Sequence, residues 1–260
     1  MLDSGRRSRI VEYVEKSDGA RVDDLADRFG VSRATIRRDL TRLHEEGLIE
    51  RAHGGATPKR HGRIGGMMEP PILSRSSIQP EEKRAIGELA AKFVEDGDVI
   101  YVSGGSTTAE MIPYLSSHRN LTVITNALNI ATLLAPLANI NAIIVGGTLR
   151  HSEMSMLGAL TEDALRNLRV DRLFTGTPAI HPEHGLSADD LTEVQSDKNI
   201  MSIAREITVL ADHTKFGCIA TMIQARLEEI DRVVTDSGTG VSDVERIRER
   251  GIEVHVADMD

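Results

Sequence analysis

Two kinds of hydrophobic pattern divide the chain into a short helical part and a longer part in which strands and helices alternate. Over residues 6–55, apolar positions recur every three or four residues, as on one face of a helix. The pattern predicts two short helices, the second ending at Gly30, and a third helix with Ser32 as its N-cap. Gly47 ends the third helix, and residues 48–56 are predicted to form a strand, a glycine turn and a return strand.

The longer part contains apolar runs of strand length with helical stretches between most of them. The predicted strands are DVIYVS, LTVIT, NAIIVGG, RLFTG, ITVLAD, RVVTD and IEVHVA. Short buried strands that alternate with helices are typical of a mostly parallel sheet covered on both faces. We therefore predict a small N-terminal domain over 1–57 and a doubly wound α/β domain over 81–260. Residues 58–80 have no sustained period and are rich in Gly, Pro, Ser and Arg, which predicts a linker.

Charge is distributed unevenly between these two parts. The net charge of the 260 residues is −9, yet residues 1–63 carry 14 Lys and Arg against 11 Asp and Glu. The remainder has a net charge of −12. Such an asymmetry indicates that one surface is adapted to a polyanion. Aromatic residues make up 3% of the chain and Trp is absent, which argues against a base-stacking platform for single strands and favours duplex DNA.

Composition also limits the compartment and the chemistry. The single cysteine, Cys218, excludes an intrachain disulfide and a cysteine-based zinc site, and we expect neither a metal nor a cofactor. No apolar run approaches the ~18 residues of a membrane-spanning helix. The N-terminal stretch lacks the apolar region of a secretory signal. We expect a cytoplasmic protein with no membrane partner.

The third predicted helix carries a basic face opposite its apolar face. Ile36, Leu40 and Leu43 lie within about 60° of one another on a helical wheel and mark the buried side. The start, opposite side and edges of the helix present Ser32, Arg33, Ala34, Thr35, Arg37, Arg38, Thr41 and Arg42. Arginine can bind guanine through two hydrogen bonds, small side chains can contact a thymine methyl group, and other cations can bind phosphates. With the preceding short helix and glycine turn, the pattern predicts a helix-turn-helix.

The predicted hairpin adds Arg51 and His53 beside this helix, as a wing would. Two alternatives to DNA binding are open for this basic face: it is an ordinary solvated helix face, or it binds a protein partner. The cores of protein–protein interfaces are depleted in charged residues, so the exposed arginine face of this helix argues against a protein partner. Asp39 is the only acid between Arg33 and Arg42, and it can orient Arg38 or Arg42.

The run VDDLADRFGVSRATIRRDLTRLHEEGLIERAHGGA, within residues 6–56, closely resembles the winged helix-turn-helix of the DeoR family of bacterial transcriptional regulators. The resemblance covers nearly every position of that module. It implies binding to double-stranded operator DNA. Because one recognition helix supplies few base contacts, we expect a homo-oligomer, either a dimer or a tetramer.

A glycine-rich segment follows the first strand of the second domain and opens a helix. Its residues are Ser103, Gly104, Gly105, Ser106, Thr107 and Thr108. Glycines let backbone amides approach an anion, hydroxyls add donors, and a helix N-terminus favours negative charge. No Lys follows, so the segment is not a Walker motif. A tight strand-to-helix turn capped by Ser or Thr gives the same pattern, and the loop alone does not separate the two.

Further candidate ligand contacts follow other predicted strands or open the first helix of the domain. They are Asn126, Gly146, Gly147, Asp212, Lys215 and Lys83. In open α/β sheets, ligands bind outside the carboxyl ends of the strands. We therefore predict that the glycine-rich segment, an amide, glycines that give clearance and a balancing Lys form one anion site. Lys215 also fits an ordinary surface lysine. Glu193 and Lys198 either reach the ligand or form a charge pair on a solvated helix face.

The order SGGSTT, VITN, VGGTLR, LFTG, HGLS and LADHTKFG, over about 80–240, is similar to the effector-binding domain of DeoR-type regulators. That domain in turn resembles the ribose-5-phosphate isomerase fold. The resemblance implies a phosphorylated sugar as effector, with its phosphate near 106–108 and Lys215. Isomerases of that type carry an acid-rich strand end, whereas residues 174–180 (FTGTPAI) contain no carboxylate and depart from the regulators' pattern at Pro178. An isomerase needs a base at the substrate carbon, so we expect binding without turnover.

The sequence thus predicts a DNA-binding repressor of a carbohydrate-metabolism operon that a phosphorylated sugar relieves. An activator and a sugar-phosphate isomerase fused to a DNA-binding module are the alternatives. Neither the sugar nor the operator follows from the residues.

Overall fold

The computed structural model describes residues 3–17, 19–45, 49–52, 54–58 and 69–259. By its internal contacts the chain divides into two units, residues 1–61 and 62–260, each with its own hydrophobic core.

In the N-terminal unit, the predicted helices and hairpin are confirmed. The elements are α1 (Asp3–Lys16), β1 (Ala20–Arg21), α2 (Val22–Phe29), α3 (Arg33–Glu45), β2 (Ile49–Ala52) and β3 (Gly55–Pro58). Gly30 ends α2 in the left-handed conformation with φ 64°, as a C-cap requires. The short strand β1 was not predicted; it pairs with β3, and a Cβ at Gly55 would lie 2.1 Å from the carbonyl oxygen of Ala20.

A buried ion pair joins α1 to α3 within this unit. Nε of Arg6 lies 2.8 Å from Oδ2 of Asp39 and Nη2 lies 3.3 Å from Oδ1, and both side chains are buried. We predicted that Asp39 orients Arg38 or Arg42, and this is wrong. Asp39 lies three residues after the buried Ile36 and so projects toward α1, on the core side of the helix.

The C-terminal unit contains the alternating strands and helices. Its elements are α4 (Ile72–Arg75), α5 (Pro80–Ala91), β4 (Val99–Val102), α6 (Ser106–Ala109), β5 (Thr122–Thr125), α7 (Leu128–Leu134), β6 (Asn141–Ile144), β7 (Thr148–Arg150), β8 (Ser155–Leu157), α8 (Ala159–Arg166), β9 (Val170–Gly176), β10 (Ala179–His181), β11 (Gly185–Ala188), α9 (Leu191–Met201), β12 (Ala204–Leu210), β13 (Met222–Ala225), β14 (Arg232–Asp236), α10 (Val241–Arg248) and β15 (Glu253–Ala257), with 3-10 helices at Ile112–Ser117, His213–Lys215 and Leu227–Glu229.

Within residues 69–259, seven parallel strands form one sheet in the order β15-β14-β12-β9-β4-β5-β6. Each matches one of the predicted apolar runs. The chain starts at β4, moves outward to β5 and β6, and then returns to β9 on the other side of β4. The strand order therefore reverses between β4 and β9, where open α/β sheets have a ligand crevice. The antiparallel β7–β8 hairpin and the β10-β11-β13 sheet were not predicted.

Both faces of the parallel sheet are covered, as predicted. Neighbouring residues along a strand enter different cores: Tyr101 packs in one and Ile100 and Val102 in the other. On β9, Leu173 and Phe174 divide in the same way. Because successive side chains of a strand point to opposite faces, this alternation confirms a doubly wound domain.

Residues 69–80, which the composition predicts as part of a linker, instead pack onto the C-terminal unit. They include α4, whose Ile72 is buried and donates its backbone N–H to the carbonyl of Ser152 at 2.9 Å. Arg75 is largely buried between carboxylates. The absence of a regular period reflects a four-residue helix and two turns rather than a solvated tether.

We expect the Arg6–Asp39 pair to be essential to the N-terminal unit. Asp39→Ala removes the carboxylate that pairs with the buried Arg6 guanidinium, and breaking a buried ion pair in this way costs about 3–5 kcal/mol of folding free energy. Asp23→Ala, the control, removes the exposed Arg33–Asp23 pair and costs about 0–1 kcal/mol. Hydrogen exchange of backbone amides in α1 and α3 measures both losses in the full chain. Equal losses in the two variants would contradict this assignment.

Candidate functional site

The exposed face of α3 and the wing strand β2 form one cationic surface. Arg37, Arg38, Thr41, Arg42 and Arg51 line a shared recess, which we call the arginine surface. Nη1 of Arg51 donates to Oγ1 of Thr41 at 3.2 Å, and that hydroxyl donates to the carbonyl of Arg37 at 2.8 Å. The wing is thus tied to the helix it flanks.

The remaining predicted DNA contacts lie at the start of α3 or on the wing. They are Ser32, Arg33, Ala34, Thr35 and His53. Oγ of Ser32 accepts the backbone N–H of Thr35 at 3.1 Å, as an N-cap does. Arg33 forms an exposed ion pair with Asp23 at 2.8 Å, and Ala34 is exposed. These four residues do not line the recess, and His53 lies outside the described residues.

A polar pocket opens at the carboxyl ends of the parallel strands, at the crevice between β4 and β9. Its walls are the glycine-rich loop after β4, the turn 176–178 after β9 and the residues 211–215 after β12. The backbone N–H of Ser103 donates to the carbonyl of Phe174 at 2.9 Å, which fixes the first two walls to each other. The predicted convergence of the glycine-rich loop with Asn126, Asp212, Lys83 and Lys215 is present.

The glycine-rich loop is held from within by Thr108. Oγ1 of the fully buried Thr108 is 2.9 Å from the carbonyl oxygen of Ser103 and 3.2 Å from that of Gly105. Thr108 therefore shapes the loop rather than offering a free donor. Ser103 differs, since its buried hydroxyl has no hydrogen-bond partner among the described residues. The helix that follows, α6, has only four residues, so the predicted helix-dipole contribution is small.

Three cationic side chains meet in this pocket, and we call Arg75, Lys83 and Lys215 the cation cluster. Nζ of Lys83 donates to the carbonyl of Arg75 at 2.6 Å, and burial lowers the pKa of Lys83 to about 8. Burial also lowers the pKa of Lys215, against the attraction of Asp212. The neighbouring positive charge of Arg75 lowers the pKa values of both lysines further, and Lys215 also lowers that of Lys83. The cluster therefore favours an anionic group beside it.

Two carboxylates currently balance the cation cluster. Glu69 forms ion pairs with both Arg75 and Lys215, and Glu153 forms an ion pair with Arg75. The sequence pattern did not single out Glu69, Arg75 or Glu153. They come from a segment predicted as linker and from the unpredicted β7–β8 hairpin.

Two predicted contacts, Gly146 and Gly147, do not line the pocket. They follow the edge strand β6, two strands away from the crevice. A Cβ at Gly147 would lie 2.1 Å from Oγ1 of Thr161, and that hydroxyl donates to the carbonyl of Gly146 at 2.8 Å. Close packing against α8, rather than clearance for a ligand, accounts for Gly147. Asn126 does line the pocket, but its Nδ2 donates a hydrogen bond to the carbonyl of Met156 at 2.8 Å.

A hydrogen-bonded chain that the sequence did not predict forms another wall. Oγ1 of Thr177 donates to Oε1 of Gln224 at 3.0 Å, and Nε2 of Gln224 donates to Oδ2 of Asp197 at 2.7 Å. Desolvation, and then the charge of Glu193, raises the pKa of Asp197 to about 8.

Carboxylates reach the pocket although residues 174–180 supply none. Glu193 and Asp197 come from α9, beside the Glu69, Glu153 and Asp212 already described. Glu193 pairs with Arg150 at 2.7 Å, and the exposed Lys198 does not line the pocket. The missing acid at 174–180 therefore does not leave the pocket without carboxylates.

Within the described parts of the chain, no group of three or more His, Cys, Asp or Glu side chains is arranged to hold a metal ion. The same residues include no helix whose length and apolarity would suffice to span a bilayer.

Family models match both units of the chain. A DeoR-like helix-turn-helix domain matches residues 6–60, and the DeoR C terminal sensor domain matches residues 78–237. The HTH-type transcriptional regulator GlpR of Haloferax volcanii is 34% identical over 98% of this chain and 98% of its own. The glycerol-3-phosphate regulon repressor of Escherichia coli K12 is 30% identical over 98% of this chain and 100% of its own. The putative aga operon transcriptional repressor of Escherichia coli O157:H7 is 29% identical over 96% of this chain and 93% of its own.

Among solved structures, ribose 5-phosphate isomerase A of Methanocaldococcus jannaschii is similar with a TM-score of 0.37 and 22% identity. The similarity covers 52% of this chain and 53% of the isomerase. A likeness of this degree does not bear on what the pocket binds.

We expect Gly105→Ala to disturb the glycine-rich loop. The added Cβ would lie 2.7 Å from Oγ1 of Thr108, so the hydroxyl that holds the loop must shift. Loss of one such hydrogen bond costs about 1 kcal/mol of folding free energy. Binding of inorganic phosphate, measured by isothermal titration, should weaken as well. Gly146→Ala is the matched control, because its Cβ meets nothing within 4 Å. Identical thermal unfolding and phosphate binding in the two variants would refute the role of Thr108.

Proposed function

Because the chain belongs to the DeoR family of transcriptional regulators, we propose that it represses a carbohydrate-metabolism operon and that a phosphorylated sugar in the polar pocket relieves repression. The observation that carries the proposal is the cation cluster at the strand-order reversal. It lies in one pocket with the glycine-rich loop and the unpartnered Ser103 hydroxyl.

The phosphate group is the part of the ligand for which the pocket is best suited. Arg75, Lys83 and Lys215 offer positive charge, and Ser103 offers a buried donor with no partner within the described chain. Charge-assisted hydrogen bonds from Arg and Lys to phosphate are short and strong. A neutral sugar would leave the three cations dependent on carboxylates alone.

The sugar hydroxyls fit the wall made by Thr177, Gln224 and Asp197. Hydroxyl, amide and carboxyl groups can each donate to or accept from a polyol. A sugar phosphate would thus lie with its phosphate toward α4 and its hydroxyls toward α9. The name of the glycerol-3-phosphate regulon repressor agrees with a small phosphorylated polyol as the ligand class.

The DNA-binding role is assigned to the arginine surface. Arg37 and Arg38 are exposed on α3, and the wing holds Arg51 beside them. Such a helix enters the major groove while the wing contacts the backbone. Two copies of the chain would present two recognition helices to an operator, so we include a homo-oligomer in the proposal. A cytoplasmic location follows from DNA as partner.

We propose binding without turnover. The relatives that match nearly the whole chain are named as transcriptional regulators, which supports this proposal. The alternative, an aldose–ketose isomerase with a DNA-binding module, predicts that a bound sugar phosphate is converted to its isomer, which proton NMR would detect.

Thermal unfolding of the full chain with a panel of phosphosugars and their unphosphorylated parents tests the ligand class. A ligand present at tens of Kd stabilises the folded chain by roughly 2 kcal/mol. We expect at least one phosphosugar to raise the unfolding midpoint while its parent does not. Equal shifts for both, or no shift with any phosphosugar, would remove the phosphate site from the account.

Substitution in the arginine surface tests the DNA contact. Arg38→Ala should weaken binding to a duplex selected from random sequences by about 1–3 kcal/mol if the side chain reads a base. If it binds phosphate instead, the slope of log affinity against log salt should fall by about one. Arg166→Ala, which removes an exposed charge from the C-terminal unit, is the control. An affinity and salt slope unchanged by Arg38→Ala would show that α3 does not face DNA through this residue.

A further inference from the structure

We propose that Glu69 is a built-in counter-anion of the pocket, and that the phosphate group of the ligand displaces its carboxylate from Arg75 and Lys215. The inference rests on the proposed phosphate site. Glu69 is thus an internal competitor at that site, and occupancy of the site would change how the segment before α4 is held.

The carboxylate of Glu69 bridges two cations of the cluster. It forms ion pairs with the guanidinium of Arg75 and the ammonium of Lys215. The exposed fractions of the side chains are 17% for Glu69, 13% for Arg75 and 22% for Lys215, so solvent screens these ion pairs only weakly. An anionic group brought into the pocket must share these cations with Glu69 or replace it.

Sharing is unfavourable because a phosphate and a carboxylate repel each other at this distance. A phosphate monoester carries about −1.5 to −2 charges at neutral pH and three acceptor oxygens. Glu69 offers one charge and two oxygens. In the part of the chain described here, the carboxylate leaves Nε of Arg75 and the hydroxyl of Ser103 buried without partners. A phosphate has the additional charge and oxygen that these two donors call for.

The attachment of Glu69 differs from that of the other carboxylate on Arg75. Glu153 lies in the β7–β8 hairpin, where Met154 accepts the backbone N–H of Leu128 at 2.8 Å. Glu69 precedes Pro70 and Pro71, which have no N–H to donate. Among the described residues, neither Glu69 nor Pro70 takes part in a backbone hydrogen bond. The ion pairs of its own side chain are therefore the main tie of Glu69 to the domain.

Displacement of Glu69 would release the segment before α4, where residues 69–71 are the first described residues of the C-terminal unit. Exchange of one anion for another at Arg75 and Lys215 would thus change the constraint on this segment.

The test compares inorganic phosphate binding to the full chain with and without Glu69. Glu69→Gln removes the competitor, so its affinity for phosphate should exceed that of the wild type by about 5- to 150-fold, the usual range of coupling between two ligands. Glu88→Gln, which removes a charge from an exposed pair with Lys92, should leave the affinity unchanged. Each variant's phosphate-induced rise in unfolding midpoint is compared with its own phosphate-free midpoint, so an altered basal stability does not obscure the result.

Equal phosphate affinity in Glu69→Gln and wild type would overturn the inference and leave the phosphate site in place. Failure of both to bind phosphate, together with no response to any phosphosugar, would overturn the proposed function as well. Displacement itself can be followed with Pro70→Trp, because the natural chain contains no Trp. Because Pro70 is already exposed, displacement should lower the fluorescence anisotropy of this reporter rather than shift its wavelength, and a bound phosphate that leaves the anisotropy unchanged would rule displacement out.

Discussion

Cations buried together need anions beside them, and this constraint governs the C-terminal pocket. Arg75, Lys83 and Lys215 are largely removed from solvent, so their charges cannot be balanced by water alone. In the structure Glu69 and Glu153 supply part of the balance. We propose that an anion from solution binds here in exchange for the Glu69 carboxylate, and that this exchange converts binding into a change within the chain.

The strand order of the parallel sheet determines the position of this pocket. The order of the parallel strands reverses between β4 and β9, which leaves a crevice at the carboxyl ends of these strands. The hydrogen bond between Ser103 and Phe174 holds the two sides of the crevice together. In the N-terminal unit, the buried Arg6–Asp39 pair draws the one acid of the basic helix segment away from the exposed face. The arginine surface is left with a strong positive charge.

The sequence predicted those elements whose strand runs or helix caps are visible in neighbouring residues of the chain. Every strand of the parallel sheet has its own apolar run, and Gly30 and Ser32 mark the ends of helices by their own conformation and hydrogen bonding. Lys215 was predicted in the pocket because strand ends of one sheet share an edge, and Lys83 because it opens the first helix of the domain.

Features that depend on tertiary contacts were missed. Glu69 and Arg75 lie in a segment with no period, and only their partners show that it is folded. Asp197 and Gln224 come from α9 and β13, whose approach to the crevice no spacing reveals. Asp39 was predicted to orient Arg38 or Arg42, and its partner Arg6 was missed because it lies 33 residues away in sequence. Gly147 follows a strand as a ligand-binding glycine would, yet it serves packing against Thr161.

The central claim is that a phosphorylated ligand in the pocket weakens DNA binding by the same chain. The most direct measurement is the fluorescence anisotropy of a labelled operator duplex bound to the full chain, during titration with a phosphosugar that stabilises it and with the unphosphorylated parent. We expect the phosphosugar alone to release the duplex, and bound DNA to lower the affinity for the phosphosugar by the same factor. A bound phosphosugar that leaves the duplex in place, or a parent sugar that releases it equally well, would show that the pocket does not control DNA binding in this way.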